Sequence, residues 1–244
     1  MSNIHSPNVV TSPLALPATA DDRRGVVACW DAGSRASYPG AGTAITDLAG
    51  SSNGTLTDGP TFDSANLGSI DFDGTDDYID VGNASVLQIT SKITLAVWYR
   101  TETSGNDTVV AKFSGTGGQR AYKMRMNSGV VQVIFSSNGS SNTVSLIDPS
   151  SSNDNVWHYA VATNDGSGGA NTALLYVDGI LVVDATGTAT IYNSSADVHI
   201  GDQDQDNNPK PYEGLIAHVA IYNVALSADD IVQNYNALRK RFGV

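Results

Sequence analysis

The stretch "SIDFDGTDDYIDVG", residues 69–82, places Asp71, Asp73, Asp76, Asp77 and Asp80 within ten positions. Five acids so close together could cage a metal, supply a pair of catalytic carboxylates, or line the wet side of a sheet. Two short strands around a turn account for them. Ile70 and Phe72 precede "DGTD", and Tyr78, Ile79 and Val81 follow it. Asp71 and Asp80 alternate with apolar neighbours, as solvent-facing positions do when one face of a sheet is buried. Asp73-Gly74 and Asp76-Asp77 supply turn chemistry, because their carboxylates can accept nearby backbone N–H groups.

The same alternation, or a short apolar run, recurs outward from this point. It is found in "VVACW" 26–30, "ITLAVWY" 93–99, "TVVAKF" 108–113, "AYKMRM" 121–126, "VVQVIF" 130–135 and "TVSLI" 143–147. It continues in "WHYAVAT" 157–163, "TALLYV" 172–177, "ILVV" 180–183, "DVHIG" 197–201 and "LIAHVAIY" 215–222. Gly, Asn, Ser and Asp separate nearly all of these segments. Asp178-Gly179 between two apolar runs is a strong hairpin signal. So many strands without intervening helices predict an all-β, two-sheet antiparallel sandwich. One helix is expected, over 227–241. Ser227 can cap it, Asp229 and Asp230 suit its positive end, and Arg239, Lys240 and Arg241 suit its negative end. Ile231, Tyr235 and Leu238 share the face that would lie on the sandwich.

The chain has 244 residues, 41% of them hydrophobic, which is enough for one good core. Its formal charge is −12, and its 13 basic residues are scattered except in the last helix, so nucleic acid is not the expected partner. Of the 25 acids only Glu102 and Glu213 are glutamates, a skew toward the acid of turns and caps. Cys29 is the single cysteine and is expected to be a small buried residue in its strand. The first residues lack a basic segment followed by an apolar one, and no window is apolar enough to span a bilayer, so neither secretion nor a membrane is expected. Pro7, Pro13 and Pro17 predict an extended arm over 1–24, either a loose terminus or a strap that orders against a partner, with the sandwich over 25–244.

"FDGTDDYIDVG" resembles the signature of laminin-G-like, concanavalin A-like jelly rolls. "ITLAVWYR" 93–100, "VWHYAVATND" 156–165, "LYVDGILV" 175–182, "IGD" 200–202 and "EGLIAHVAIYNVALSADDI" 213–231 resemble further parts of that pattern, in order. "WDAGSRASYPGAGTAITDLAGSSNGTLTDGPTF" 30–62 and "NYNALRKRFGV" 234–244 are similar to versions found in tailed-phage virion proteins. The resemblance implies a jelly-roll module in a virion, joined to a phage capsid or tail protein through residues 1–24, with a homo-oligomer plausible. Its role would be capsid decoration or stabilisation. The alternative is a carbohydrate-binding, receptor-recognition module of a tail or fibre, contacting a host surface glycan.

Catalytic patterns are sparse. Glucanases of this superfamily use two Glu flanking an Asp on one strand, and no Glu-x-Asp-x-Glu occurs here. No Gly-x-Ser-x-Gly elbow occurs, and His158 and His199 read as structural or surface histidines. The chain is therefore expected to be non-enzymatic. For a metal, "DQDQDNNPKPYE" 202–213 offers Asp202, Asp204, Asp206 and Glu213 at calcium-loop positions, although Asn207 replaces the turn glycine. Relatives often carry an Asp-Glu pair in the closing strand, where this chain has Ala217-His218, so calcium would need the 202–213 loop or Asp73, Asp76 and Asp77 instead. For a glycan, loop tyrosines Tyr38, Tyr192 and Tyr212 are the candidate stacking platforms, whereas Trp30, Trp98 and Trp157 fall in strands and are expected in the core. The acidic surface is expected to repel anionic glycans.

Overall fold

A computed structural model describes residues 25–203 and 209–244. Its first eight strands are β1 (Val26–Asp31), β2 (Ala44–Ile45), β3 (Gly54–Thr57), β4 (Thr61–Asp63), β5 (Ser69–Asp73), β6 (Tyr78–Gly82), β7 (Ile93–Arg100) and β8 (Thr108–Phe113). There follow β9 (Arg120–Asn127), β10 (Val130–Gly139), β11 (Val144–Ile147), β12 (His158–Asn164), β13 (Ala173–Val177), β14 (Ile180–Ala185), β15 (Val198–Ile200) and β16 (Glu213–Tyr222). Helix α1, Ala228–Phe242, closes the chain.

These strands make two eight-stranded sheets. One runs β14-β13-β12-β7-β16-β5-β4, with β1 also pairing to β16; the other runs β11-β10-β9-β8-β15-β6-β3-β2. Every neighbouring pair is antiparallel, from β9–β10 to β7–β16. The expected sandwich is therefore present. β16 holds its sheet together because it is long enough to pair with β7 on one side and with β5 and then β1 on the other.

The opening aspartate stretch is the corner between the layers. β5 pairs in one sheet and β6 in the other, so "GTDD" carries the chain across. Asp77 Oδ2 accepts the Asp73 N–H at 3.0 Å, and Asp73 Oδ1 accepts that of Thr75 at 2.7 Å. Gly74 sits at φ 76°, where a Cβ would lie 2.9 Å from that of Glu213, so both conformation and space demand glycine. Asp71 and Asp73 are exposed, as alternation requires.

Between the sheets lies a core of Ile70, Phe72, Leu95, Val97 and Tyr99 from one side and Tyr122, Met124, Val131 and Val133 from the other. Each such side chain contributes about 1.5–3 kcal/mol by leaving water. Trp30 joins it and donates its indole N–H to the Ser52 carbonyl at 2.9 Å.

A second apolar layer covers the outer face of the sheet that contains β7. Trp98 stacks on Phe242 at 4.3 Å and on Tyr235 at 5.7 Å, and Ile231 and Leu238 are buried beside them. Helix α1 forms because Ser227 and Asp230 make a reciprocal capping box, and it ends because Gly243 turns left-handed at φ 75°. This sheet is the covered sheet. Among the described residues no helix lies on the other one, which is termed the open sheet.

Candidate functional site

Strand register fixes what the open sheet presents. Ile134 of β10 pairs with Lys123 of β9, Lys123 with Ala111 of β8, Ala111 with His199 of β15, and His199 with Asp80 of β6. Because directly opposed residues point the same way, these side chains form one row across the face. Gln203 lies over its centre. Lys123 Nζ donates to Gln203 Oε1 at 3.0 Å, and His199 Nδ1 meets the Gln203 carbonyl at 3.1 Å, one on each side of Ala111.

On the Lys123 side is a groove of about 210 Å³ lined by Phe113, Arg120, Lys123, Arg125, Gln203 and Lys210. Lys123 and Arg125 share a face because they are two apart on β9. The Lys123 ammonium sits 3.9 Å above the Phe113 ring and the Arg120 guanidinium 5.4 Å from it, so apolar stems and a π-face support both charges. Arg125 Nε donates to Gln132 Oε1 at 2.7 Å, and its Nη1 donates to Asn106. Burial pushes the Lys123 amine down to about 7, reinforced by Arg125, Arg120 and Lys210 and opposed by Asp202. Among the described residues no carboxylate lines this groove. Arg120, Arg125 and Lys210 converge with the Lys123 amine on one spot of a chain whose net charge is −12.

A second groove, of about 330 Å³, is acidic. Asp63, Asp71, Asp73, Glu102 and Glu213 surround it with Arg100. Glu213 lies opposite Asp73 in the β16–β5 register. Cross-strand register here joins acids far apart in the chain. Desolvation, and then Asp63, raise the Asp71 carboxyl, against the pull of Arg100.

His158 and Cys29 sit among neighbours that hold them. His158 is held by Asp178 at 2.8 Å and Asp154 at 3.1 Å, so both ring nitrogens are occupied. Cys29 lies 3.4 Å from His218 Nε2, but burial, with Asp31 and Asp47, pushes its thiol far up, and it stays protonated. Asp73, Asp76 and Asp77 do bring carboxylate oxygens within 4.8 Å of one another.

The residues singled out in the sequence fare unequally. Tyr212 is fully buried, edge-on to Phe72, with its hydroxyl bonded to the Arg100 carbonyl at 3.2 Å. Tyr38 is 4% exposed and bonded to the Gly42 carbonyl at 2.7 Å. Both are therefore corrected as stacking platforms: their loops fold inward, and the rings serve the core. Tyr192 is half-buried and keeps an accessible part. The three tryptophans are buried, as expected. Asp202 is fully buried, and its Oδ1 accepts the N–H groups of Gln203 at 2.7 Å and Lys210 at 2.6 Å, which staples the loop's two ends. Glu213 is exposed beside the acidic groove, while Asp204 and Asp206, like the arm 1–24, lie outside the described residues. Sequence reasoning missed the basic groove. The one available signal was Lys123 and Arg125 at strand spacing.

The profile of the family described as the concanavalin A-like lectin/glucanases superfamily matches residues 73–232. The chain belongs to that superfamily. No curated protein sequence matches it. Among solved structures, it is similar to the binding domain of Paraclostridial Mosquitocidal Protein 1, at 13% identity and TM-score 0.65, over 88% of this chain and 53% of that one. A botulinum neurotoxin type C structure, whose cell entry depends on two ganglioside molecules, matches at 12% identity and TM-score 0.64, over 90% and 52%. Trypanosoma rangeli sialidase in complex with sialic acid matches at 14% and 0.64, over 88% and 33%. The chain thus spans about half the length of the first two. At identities this low the likeness shows the jelly-roll fold alone.

Proposed function

We propose that the chain is a non-catalytic binding module that holds the acidic group of a carboxylated or sulfated glycan in the basic groove of its open sheet. The observation that carries this reading is the convergence of Arg120, Lys123, Arg125 and Lys210, free of carboxylates among the described residues, on an otherwise acidic molecule. Charge-assisted hydrogen bonds to such groups contribute about 1.5–3 kcal/mol each. Asn106 and Asn142 stand beside the cations as partners for sugar hydroxyls. The ganglioside and sialic acid named for the structural neighbours are acidic glycans, which supports the ligand class. Under this reading the nearest charges, rather than the overall acidity, set the attraction at close range.

The setting we propose is a phage virion, with residues 1–24 joining the module to a capsid or tail protein. Support comes from the likeness of 30–62 and 234–244 to tailed-phage virion domains and from the proline spacing of the arm. Decoration or stabilisation of the shell is the second reading within that setting.

Binding to immobilised carboxylated, sulfated and neutral glycans tests the ligand class. Acidic glycans should be retained and neutral ones released, and Arg125→Ala should weaken retention about tenfold or more, in line with one charge-assisted bond. Equal binding of neutral glycans, or full binding by Arg125→Ala, refutes the groove. Hundreds of copies on a shell would favour decoration over adhesion. Turnover of any polysaccharide that Asp71→Asn abolishes would move the chain to the enzymes and the site to the acidic groove.

A further inference from the structure

We propose that Asp80, Asp197 and His199, at the other end of the open-sheet row, form a binding site for a borderline divalent cation of the zinc class. It rests on no part of the glycan reading. Asp197 and His199 are two apart on the way into β15 and so face the same side, while Asp80 lies opposite His199 on β6. One donor atom from each comes within 4.8 Å of the others.

His199 supplies an independent sign of a ligand. Its side chain is 5% exposed, and its Nδ1 lies 3.1 Å from the carbonyl of Gln203. A carbonyl only accepts, so in the neutral imidazole Nδ1 carries the proton and the lone pair of Nε2 is turned toward Asp80. This is the carbonyl-oriented histidine found behind metal ligands, where the second nitrogen's partner fixes the tautomer. Tyr78, 4.6 Å from the ring, restrains its tilt.

The spacing also fits a metal better than a direct bond. Nε2 is 3.6 Å from Asp80 Oδ1, beyond hydrogen-bond length. Two donors on one tetrahedral zinc ion stand about 3.4 Å apart, given zinc–donor bonds of about 2.0–2.1 Å. Asp80 Oδ1 also accepts the Gly82 N–H at 2.9 Å, a contact that aims the carboxylate. Asp80 and Asp197 are only half-buried, so a modest rotamer change closes the widest gap. Two carboxylates neutralise a divalent ion, and the imidazole nitrogen favours zinc, nickel or copper over calcium, which takes oxygen ligands. Three protein donors leave one position open to solvent.

Calorimetric titration of the chelator-stripped full chain with Zn²⁺ should give one saturable site, with weaker or no response to Ca²⁺. His199→Gln and Asp197→Asn should each lower Zn²⁺ affinity at least tenfold, whereas Asp76→Asn, in the other acidic cluster, should not change it. Should His199→Gln fail to fold, imidazole ¹⁵N NMR of the unaltered chain decides: Zn²⁺ should shift Nε2 of His199 and leave Nδ1 protonated. No saturable site, Zn²⁺ affinity unchanged in His199→Gln, an unmoved Nε2 resonance, or tighter binding of Ca²⁺ would each overturn the proposal.

Discussion

Arg241 and Asp31 show how much one pair can hold. Their side chains are 6% and 3% exposed and meet at 2.8 Å, and the same guanidinium donates to the carbonyls of Asn66 at 2.7 Å and Gly68 at 2.7 Å. Because each of the three guanidinium nitrogens donates, the burial of charge is compensated; removing one partner leaves the other uncompensated. Arg241→Ala should therefore cost about 3–5 kcal/mol in chemical denaturation. A loss under 1 kcal/mol would mean the pair is solvated in solution. His158 gives a pH prediction. Desolvation lowers its affinity for a proton, but the hydrogen bonds to Asp178 and Asp154 outweigh this and raise it above the usual histidine range. A raised folded value means the folded chain binds the proton more tightly, so the contribution is complete below the unfolded value of about 6.5 and fades as pH climbs through the folded one. His158→Gln should lower the melting temperature more at pH 5.5 than at pH 9; an equal drop at both would remove the ion pairs as the cause. Neither partner set was legible in the sequence, since Arg241 and Asp31 are separated by most of the chain.

At the scale of elements, the helix and the strands differ in how they are specified. Helix α1 carries its own signals, including the Ser227–Asp230 box, acids first and bases last, and the apolar stripe that meets Trp98. Its expected span, 227–241, lies within a residue of the observed Ala228–Phe242 with its Ser227 cap. Ser227→Ala should cost about 1 kcal/mol, measured by the urea midpoint at unchanged slope. Most strands were equally visible: "TVVAKF" is β8 residue for residue, and Asp178-Gly179 makes the β13–β14 turn with both φ values positive. The short strands β2, β3 and β4 were not, because two to four residues carry too little periodicity to separate them from loop.

For the whole molecule, the decisive asymmetry is that one sheet is roofed by the helix and its aromatic packing while no helix among the described residues lies on the other, which carries a positive groove in an acidic molecule. Retention of an acidic glycan by that groove should fall as NaCl rises from 0.1 to 1 M. At about 0.1 M the screening length is already near 10 Å, so distant repulsion is largely gone and further salt weakens the close contacts. Salt-insensitive retention would point to apolar stacking instead. The sequence by itself determined the all-β class, most strand positions, the capped helix, the buried tryptophans and the role of the 69–82 aspartates as corner and wet face. Those are properties of local alternation, turn chemistry and capping, which act over a few residues. Only the tertiary structure decided that β5 and β6 belong to different sheets, that Tyr38 and Tyr212 are buried, and that Lys123, His199 and Asp80 share one row. Each of these depends on which distant strands lie side by side and which face they turn outward, and a period of two residues is silent about the neighbour it will meet.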